Sequence, residues 1–273
     1  MPSGAVAHKP APIGVFDSGV GGLSVLREIH RAIPFHPTIY YADQAHLPYG
    51  TKSNAELFAY VDAITRWLIG SGAQVIVLAC NTASAACLRE LRTAYPDVSF
   101  VGMEPAIKPA VEATQTGVIG VLATHVTAQG ELYRATMAKV ARAVQVITQP
   151  APEWVMLVER GDWHSPEARD KLAQHLAPIL SAHADQVALA CTHFPFLRDA
   201  LEELAGGGVT FIDPAPAVAR QTRRMLQERG LLIMEGRQPH HRYITSGDAV
   251  HLKAMLARLI DVQAEVTELR LAD

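Results

Sequence analysis

A chain of 273 residues, 49% of them hydrophobic, is long enough for one large packed domain or two modest ones. Its 24 Lys and Arg stand against 27 Asp and Glu, a formal charge of -3, and no long run of either sign favours nucleic acid or an anionic membrane surface; a small molecule is the expected partner. Three cysteines, an odd number set at the ends of apolar runs or in a helix, do not suit the disulfide framework of a secreted protein and read as thiols of a reducing compartment.

The opening MPSGAVAHKPAP has no apolar stretch of signal-peptide length, and no later run reaches the roughly 20 residues that span a bilayer. A cytoplasmic protein is expected, with residues 1–11 a flexible tail. Short β-rich runs then follow in order: IGVF from Ile13, TIYYA from Thr38, VIVLA from Val75, VSFVG from Val98, GVIGVLA from Gly117, VQVIT from Val144, QVALA from Gln186 and VTFID from Val209. Between most of them lie segments with helical spacing, such as Leu23, Leu26, Ile29 and Ile33, or Leu172, Leu176, Ile179 and Leu180. Continuous apolar strands that alternate with helices predict parallel sheets covered on both faces, an α/β fold.

IGVFDS from Ile13 is echoed by IGVLAT from Ile119, and each is followed further on by a strand ending Ala-Cys. Ser18 thereby corresponds to Thr124, and Cys80 to Cys191. Two correspondences in the same order predict two similar lobes, each a mainly parallel sheet flanked by helices, facing across a central cleft. The first lobe is expected to comprise 12–110 plus 214–273 and to carry Cys80; the second, 111–213, carries Cys191. After Asp213 the chain is expected to add more helix and return to the first lobe.

Parallel sheets bind ligands at the carboxyl ends of their strands, which singles out Asp17, Ser18, Asp43, Cys80, Asn81, Thr82, Thr124, Cys191, Thr192, His193 and Asp213. A strand-end thiol followed by Asn-Thr or Thr-His entering a helix meets backbone N–H groups and the positive end of a helix dipole, a setting that lowers a thiol pKa and binds carboxylates. Cys87, among alanines in a helix, is assigned to packing. The twin thiols admit several chemistries. A redox pair lacks Cys-x-x-Cys, zinc lacks a cysteine knuckle and histidine ligand spacing, and a papain-like nucleophile leaves one cysteine unexplained. Thiols on opposite faces of one substrate carbon, one removing a proton and the other delivering one, use both and invert a stereocentre. Abstracting the α-proton of an amino acid demands a closely placed base and stabilisation of developing charge. Pyridoxal phosphate would act through a lysine; none stands at a strand end, although Lys52 in the PYGTK loop keeps that route open.

The set DSGVGGLSVL from Asp17, ADQAHLPYG from Ala42, ACNTASA from Ala79, GMEPA from Gly102, ACTHFPFL from Ala190 and IDPA from Ile212 closely resembles the glutamate racemase family, running in order from Ile13 to Ala215. The resemblance implies a cofactor-independent enzyme, with no metal, that supplies D-glutamate for peptidoglycan. It implies Cys80 and Cys191 as paired bases, Asp17 assisting on the Cys80 side and His193 on the Cys191 side, and Glu159 in VMLVERG as a further carboxylate helper. Ser18, Pro48, Tyr49, Gly50, Asn81, Thr82 and Thr192 match positions that hold the ammonium and two carboxylates; hydroxyls, an amide and loop N–H groups can do this without Arg, and Asp17 can accept from the ammonium.

Plainer roles stand beside these. Asp17 could cap the helix through Leu23, Tyr49-Gly50 could be a simple turn, and Gly19, Gly21 and Gly22 permit a tight turn and close ligand approach. Thr124 and Asp213 are left between substrate contact and local hydrogen bonding, and His240 and His241 are read as surface residues. Trp154, Gln44 and His46 depart from the family pattern: Trp154 belongs to the core or lines a pocket, and Gln44 and His46 alter the approach to the site. CTHFP favours glutamate over aspartate, the nearest rival substrate; a non-catalytic amino-acid-binding module is the alternative of another class. A homodimer is expected.

Overall fold

The computed structural model describes residues 11–140 and 144–272. Apart from its last residue, the expected N-terminal tail lies outside the described residues.

Every apolar run anticipated above forms a strand: β1 Ile13–Asp17, β2 Thr38–Ala42, β3 Val75–Leu78, β4 Ser99–Val101, β5 Val118–Ala123, β6 Gln145–Pro150, β7 Gln186–Ala190 and β8 Thr210–Ile212. The intervening helices are α1 Leu23–Ala32, α2 Asn54–Gly70, α3 Asn81–Ala94, α4 Ile107–Ala113, α5 His125–Gln129, α6 Glu131–Val140, α7 Glu153–Arg160, α8 Pro166–Ser181 and α9 Arg198–Ala205. Local chemistry sets their starts. Ser53 and Glu56 form a capping box on α2, the Ser53 hydroxyl accepting from the Glu56 N–H at 3.3 Å and the Glu56 carboxylate from the Ser53 N–H at 3.0 Å. Ser165 caps α8, with Pro166 at its first turn, where the missing N–H costs nothing.

Beyond Asp213 the chain does more than add helix. After α10 Ala215–Glu228 it supplies β9 Arg242–Thr245, α11 Ala249–Ile260 and β10 Val266–Glu268. The two strands were not anticipated because their runs are short and mixed with polar residues; pairing of β9 with the edge of β2, and of β10 with β9, not intrinsic propensity, makes them strands.

The strands make two parallel sheets, ordered β10-β9-β2-β1-β3-β4 and β6-β5-β7-β8. The order β2-β1-β3-β4 is repeated as β6-β5-β7-β8, so the sequence echo marks an architectural repeat. Phe16 of β1 pairs with Leu78 of β3, and Ala123 of β5 with Ala190 of β7, at the ends that lead to Cys80 and Cys191. In both sheets the chain reverses its direction of growth beside the first strand, the topology that opens a ligand crevice at the strands' carboxyl ends.

Successive residues face opposite sides, and both sides are dry. Val15, Leu23, Leu26 and Ile29 belong to a cluster that runs on to Leu172, Leu176 and Phe194, whereas Phe16, Ile39, Ile76 and Cys87 pack on the far side of the first sheet. Ile119, Val121, Ala188 and Ala190 fill the far side of the second. Trp154 is fully buried in the central cluster, so it is core. Cys87 is likewise buried, and burial pushes its thiol up to about 12, consistent with its assignment to packing. His241, expected at the surface, is half-buried: its Nδ1 lies 2.8 Å from the Thr38 hydroxyl and its ring 4.1 Å from that of His30, because β9 docks beside β2. His240 is exposed.

Since Leu26 is wholly buried in the central cluster, Leu26→Ala is expected to lower unfolding free energy by about 2–5 kcal/mol, measured by urea titration.

Candidate active site

The site is assembled where the strand ends of the two sheets converge. Cys80 is the N-cap of α3, directly after β3; Cys191 follows β7; each is 6% exposed. The thiols sense one another, the charge of Cys191 raising the Cys80 pKa. The DSGVGG turn after β1 lies between them. Gly22, not Asp17, is the N-cap of α1; Asp17 Oδ2 accepts the Gly22 N–H at 2.7 Å, but Asp17 Oδ1 is buried without a hydrogen-bond partner. Asn81, the first residue of α3, is buried with both Nδ2 and Oδ1 unpartnered. Buried orphan polar atoms are expensive, and three around one thiol mark a place where a polar molecule completes the bonding.

The two thiols have different neighbours. On the second side His193 Nδ1 lies 3.8 Å from Cys191 Sγ, and His193 Nε2 lies 2.7 Å from Glu159 Oε1. Burial alone would lower the His193 pKa; hydrogen bonds to Cys191 and Glu159, with their charges, raise it well above the usual value. That direction favours the protonated ring, with Nδ1 set beside Cys191 Sγ and Nε2 beside Glu159 Oε1. On the first side the expectation of a lowered thiol pKa is overturned for Cys80. The Ala83 N–H at the helix start does pull it down, but burial and the Asp17 carboxylate push it well above the usual range, so Cys80 is a resting thiol.

The glycines of the turn are needed for close approach, although to protein atoms more than to a ligand. A Cβ on Gly19 would lie 2.0 Å from Glu159 Oε1, and one on Gly21 would lie 2.3 Å from His193 Nδ1. Glu159 Oε1 also accepts the Val20 N–H at 2.8 Å, so this carboxylate, carried by α7, ties the second sheet's helices to the first sheet's turn.

The remaining expected residues divide. Thr82 and Thr124 hydroxyls are 3.5 Å apart across the site, and Thr124 also caps α5 by accepting the Thr127 N–H. Ser18 and Thr192 are buried beside their neighbours. Tyr49 is buried and donates to Asp43 Oδ2 at 2.7 Å; Pro48 follows a cis peptide and is exposed, and Gly50 faces open space. Asp213 Oδ1 accepts the Ala215 N–H at 2.8 Å, a local bond at the start of α10. Gln44 and His46 serve the loop itself: Gln44 Oε1 accepts from the Thr245 hydroxyl at 2.7 Å, and His46 stacks on Tyr60 while touching Asp43 at 2.9 Å. Sequence reasoning missed Tyr40, whose hydroxyl donates to the Gly19 carbonyl at 2.6 Å, and Ser24, whose hydroxyl lies 2.9 Å from the Thr192 carbonyl. Both sit inside apolar runs, where only the folded chain reveals their polar task. No cluster of three or more His, Cys, Asp or Glu among the described residues is arranged to hold a metal.

Two parallel α/β sheets bring their strand ends together around two buried thiols, one beside a carboxylate and the other beside a histidine ring. The chain belongs to the Asp/Glu/hydantoin racemase family, whose model matches residues 13–222. It is 44% identical over 255 residues to a glutamate racemase of Herpetosiphon aurantiacus, covering 93% of this chain and 100% of that one. The structure resembles a glutamate racemase of Bacillus anthracis (TM-score 0.87, 31% identity, 97% of this chain and 99% of that chain). It also resembles Escherichia coli glutamate racemase, solved with L-glutamate and the activator UDP-MurNAc-ala (TM-score 0.85, 32% identity, 97% and 100%).

Burial raises the Asp17 pKa from 3.8 to about 6, with the His193 charge opposing. Its folded value exceeds its unfolded one, so its contribution to stability is full below about pH 4 and is lost as pH rises through about 6. Asp17→Asn is expected to remove that loss, so that the variant gains stability relative to the parent between about pH 4 and pH 7 in urea titrations.

Proposed function

We propose that this protein interconverts L- and D-glutamate without a cofactor, Cys80 and Cys191 acting as the two bases. The reading is carried by the buried, unpartnered Asp17 Oδ1 and Asn81 amide beside Cys80: an acceptor suited to an ammonium and a donor suited to a carboxylate, the two groups that flank an α-carbon. The high identity to curated glutamate racemases supports the same substrate. One sulfur, as thiolate, takes the α-proton; the other, as thiol, returns a proton to the opposite face, and the two exchange roles in the reverse direction. His193 holds positive charge next to Cys191, Glu159 orients His193, and Asp17 engages the ammonium while acting on Cys80. Ser18, Asn81, Thr82, Thr124, Thr192 and the Pro48-Tyr49-Gly50 loop bind the carboxylates. The α-carboxylate of the developing carbanion is stabilised by these fixed donors in a water-poor site.

The proposed lobes are 12–110 with 214–273, and 111–213, closing over the substrate. Their product would feed peptidoglycan synthesis in the cytoplasm, and the working unit is a homodimer.

Pure enzyme freed of pyridoxal phosphate and incubated with L-glutamate in deuterated water is expected to yield D-glutamate carrying α-deuterium, with L-aspartate turned over far more slowly. Cys80→Ser and Cys191→Ser are each expected to lower kcat on the order of a hundred-fold or more. Full activity in both single variants would defeat the two-thiol mechanism.

A further inference from the structure

We infer that Ser24, in the first turn of α1, is a positioning residue for the Cys191 side of the reaction, holding the Thr192 carbonyl across the interface between the two sheets; this rests on the two-thiol reading above. The sequence hides it, because Ser24 lies in the apolar run GGLSVL and is wholly buried, where serine otherwise reads as a small packing residue. Its hydroxyl oxygen is 2.9 Å from the Thr192 carbonyl and also 2.9 Å from the Gly21 carbonyl of its own helix turn. The Thr192 carbonyl belongs to the peptide that joins Thr192 to His193, so the bond fixes the segment that sets Cys191 Sγ against His193 Nδ1.

Neighbouring contacts act on the same segment. Gly21 leaves no room for a Cβ beneath the His193 ring, and Val20 donates to the Glu159 oxygen that His193 also meets. The chain from Val20 into the first turn of α1 is thus a bed on which the Cys191–His193 segment rests, and Ser24 contributes a side-chain hydroxyl to it. A hydroxyl carries one proton and can give it to either carbonyl. With both carbonyls at 2.9 Å, the donor is satisfied whichever one it serves.

Racemisation of L- and D-glutamate, each with hydrogen or deuterium at Cα, separates this role from general packing. Ser24→Ala is expected to melt cooperatively and to lower kcat roughly ten-fold, with KM changed much less. Its primary isotope effect on kcat should rise for one enantiomer, the one deprotonated by Cys191, and stay at the parent value for the other. Ser24→Thr, which keeps the hydroxyl, should restore most of kcat. Ser24→Cys, close in volume but a weak donor, serves in place of the alanine variant if that variant does not fold. Isotope effects that rise equally for both enantiomers, or for neither, overturn the positioning role. Cys191→Ser assayed alongside separates the two levels: if it is inactive and Ser24→Ala shows no asymmetry, only the positioning role fails. If Cys191→Ser turns over at the parent rate, the two-thiol reading fails and the role of Ser24 falls with it.

Discussion

One carboxylate oxygen joins the halves of this molecule. Glu159 Oε1 accepts the Val20 N–H from the turn after β1 and meets His193 Nε2 from the segment after β7, all in buried surroundings. A buried carboxylate is tolerated only when paired and hydrogen-bonded, so the site that needs Glu159 also needs both sheets in register. The glycines of the turn give this oxygen and the His193 ring their room. The Glu159 joint and the Ser24 bond to the Thr192 carbonyl both link the strand ends of one sheet to those of the other.

The repeated strand order explains why the sulfurs occupy matching places, although their neighbours differ. Burial and the Asp17 carboxylate raise the Cys80 pKa, whereas Cys191 has the His193 ring at 3.8 Å. The two halves of the site therefore surround their sulfurs with different chemistry. On the proposed binding mode, an ammonium at Asp17 Oδ1 would offset the very carboxylate that raises the Cys80 pKa.

Much of this was legible in the chain. Fully buried parallel strands write continuous apolar runs, and residues at their carboxyl ends are few, so Cys80, Asn81, Cys191 and His193 stood out before any coordinates. What escaped has a common cause. β9 is a strand because β2 offers an edge, and β10 because β9 then offers another; Ser24 and Tyr40 bond to carbonyls far along the chain, and the raised Cys80 pKa reflects burial overcoming a helix terminus. Long-range packing decides all of these, and local pattern carries little of it.

The central claim is geometric: one α-carbon, two sulfurs, opposite faces. A crystal structure of the unmodified enzyme with bound glutamate measures it directly. The account requires Cys80 Sγ and Cys191 Sγ within van der Waals reach of Cα on opposing sides, with the ammonium at Asp17. Both sulfurs on one side, or either one withdrawn from the carbon, would contradict it.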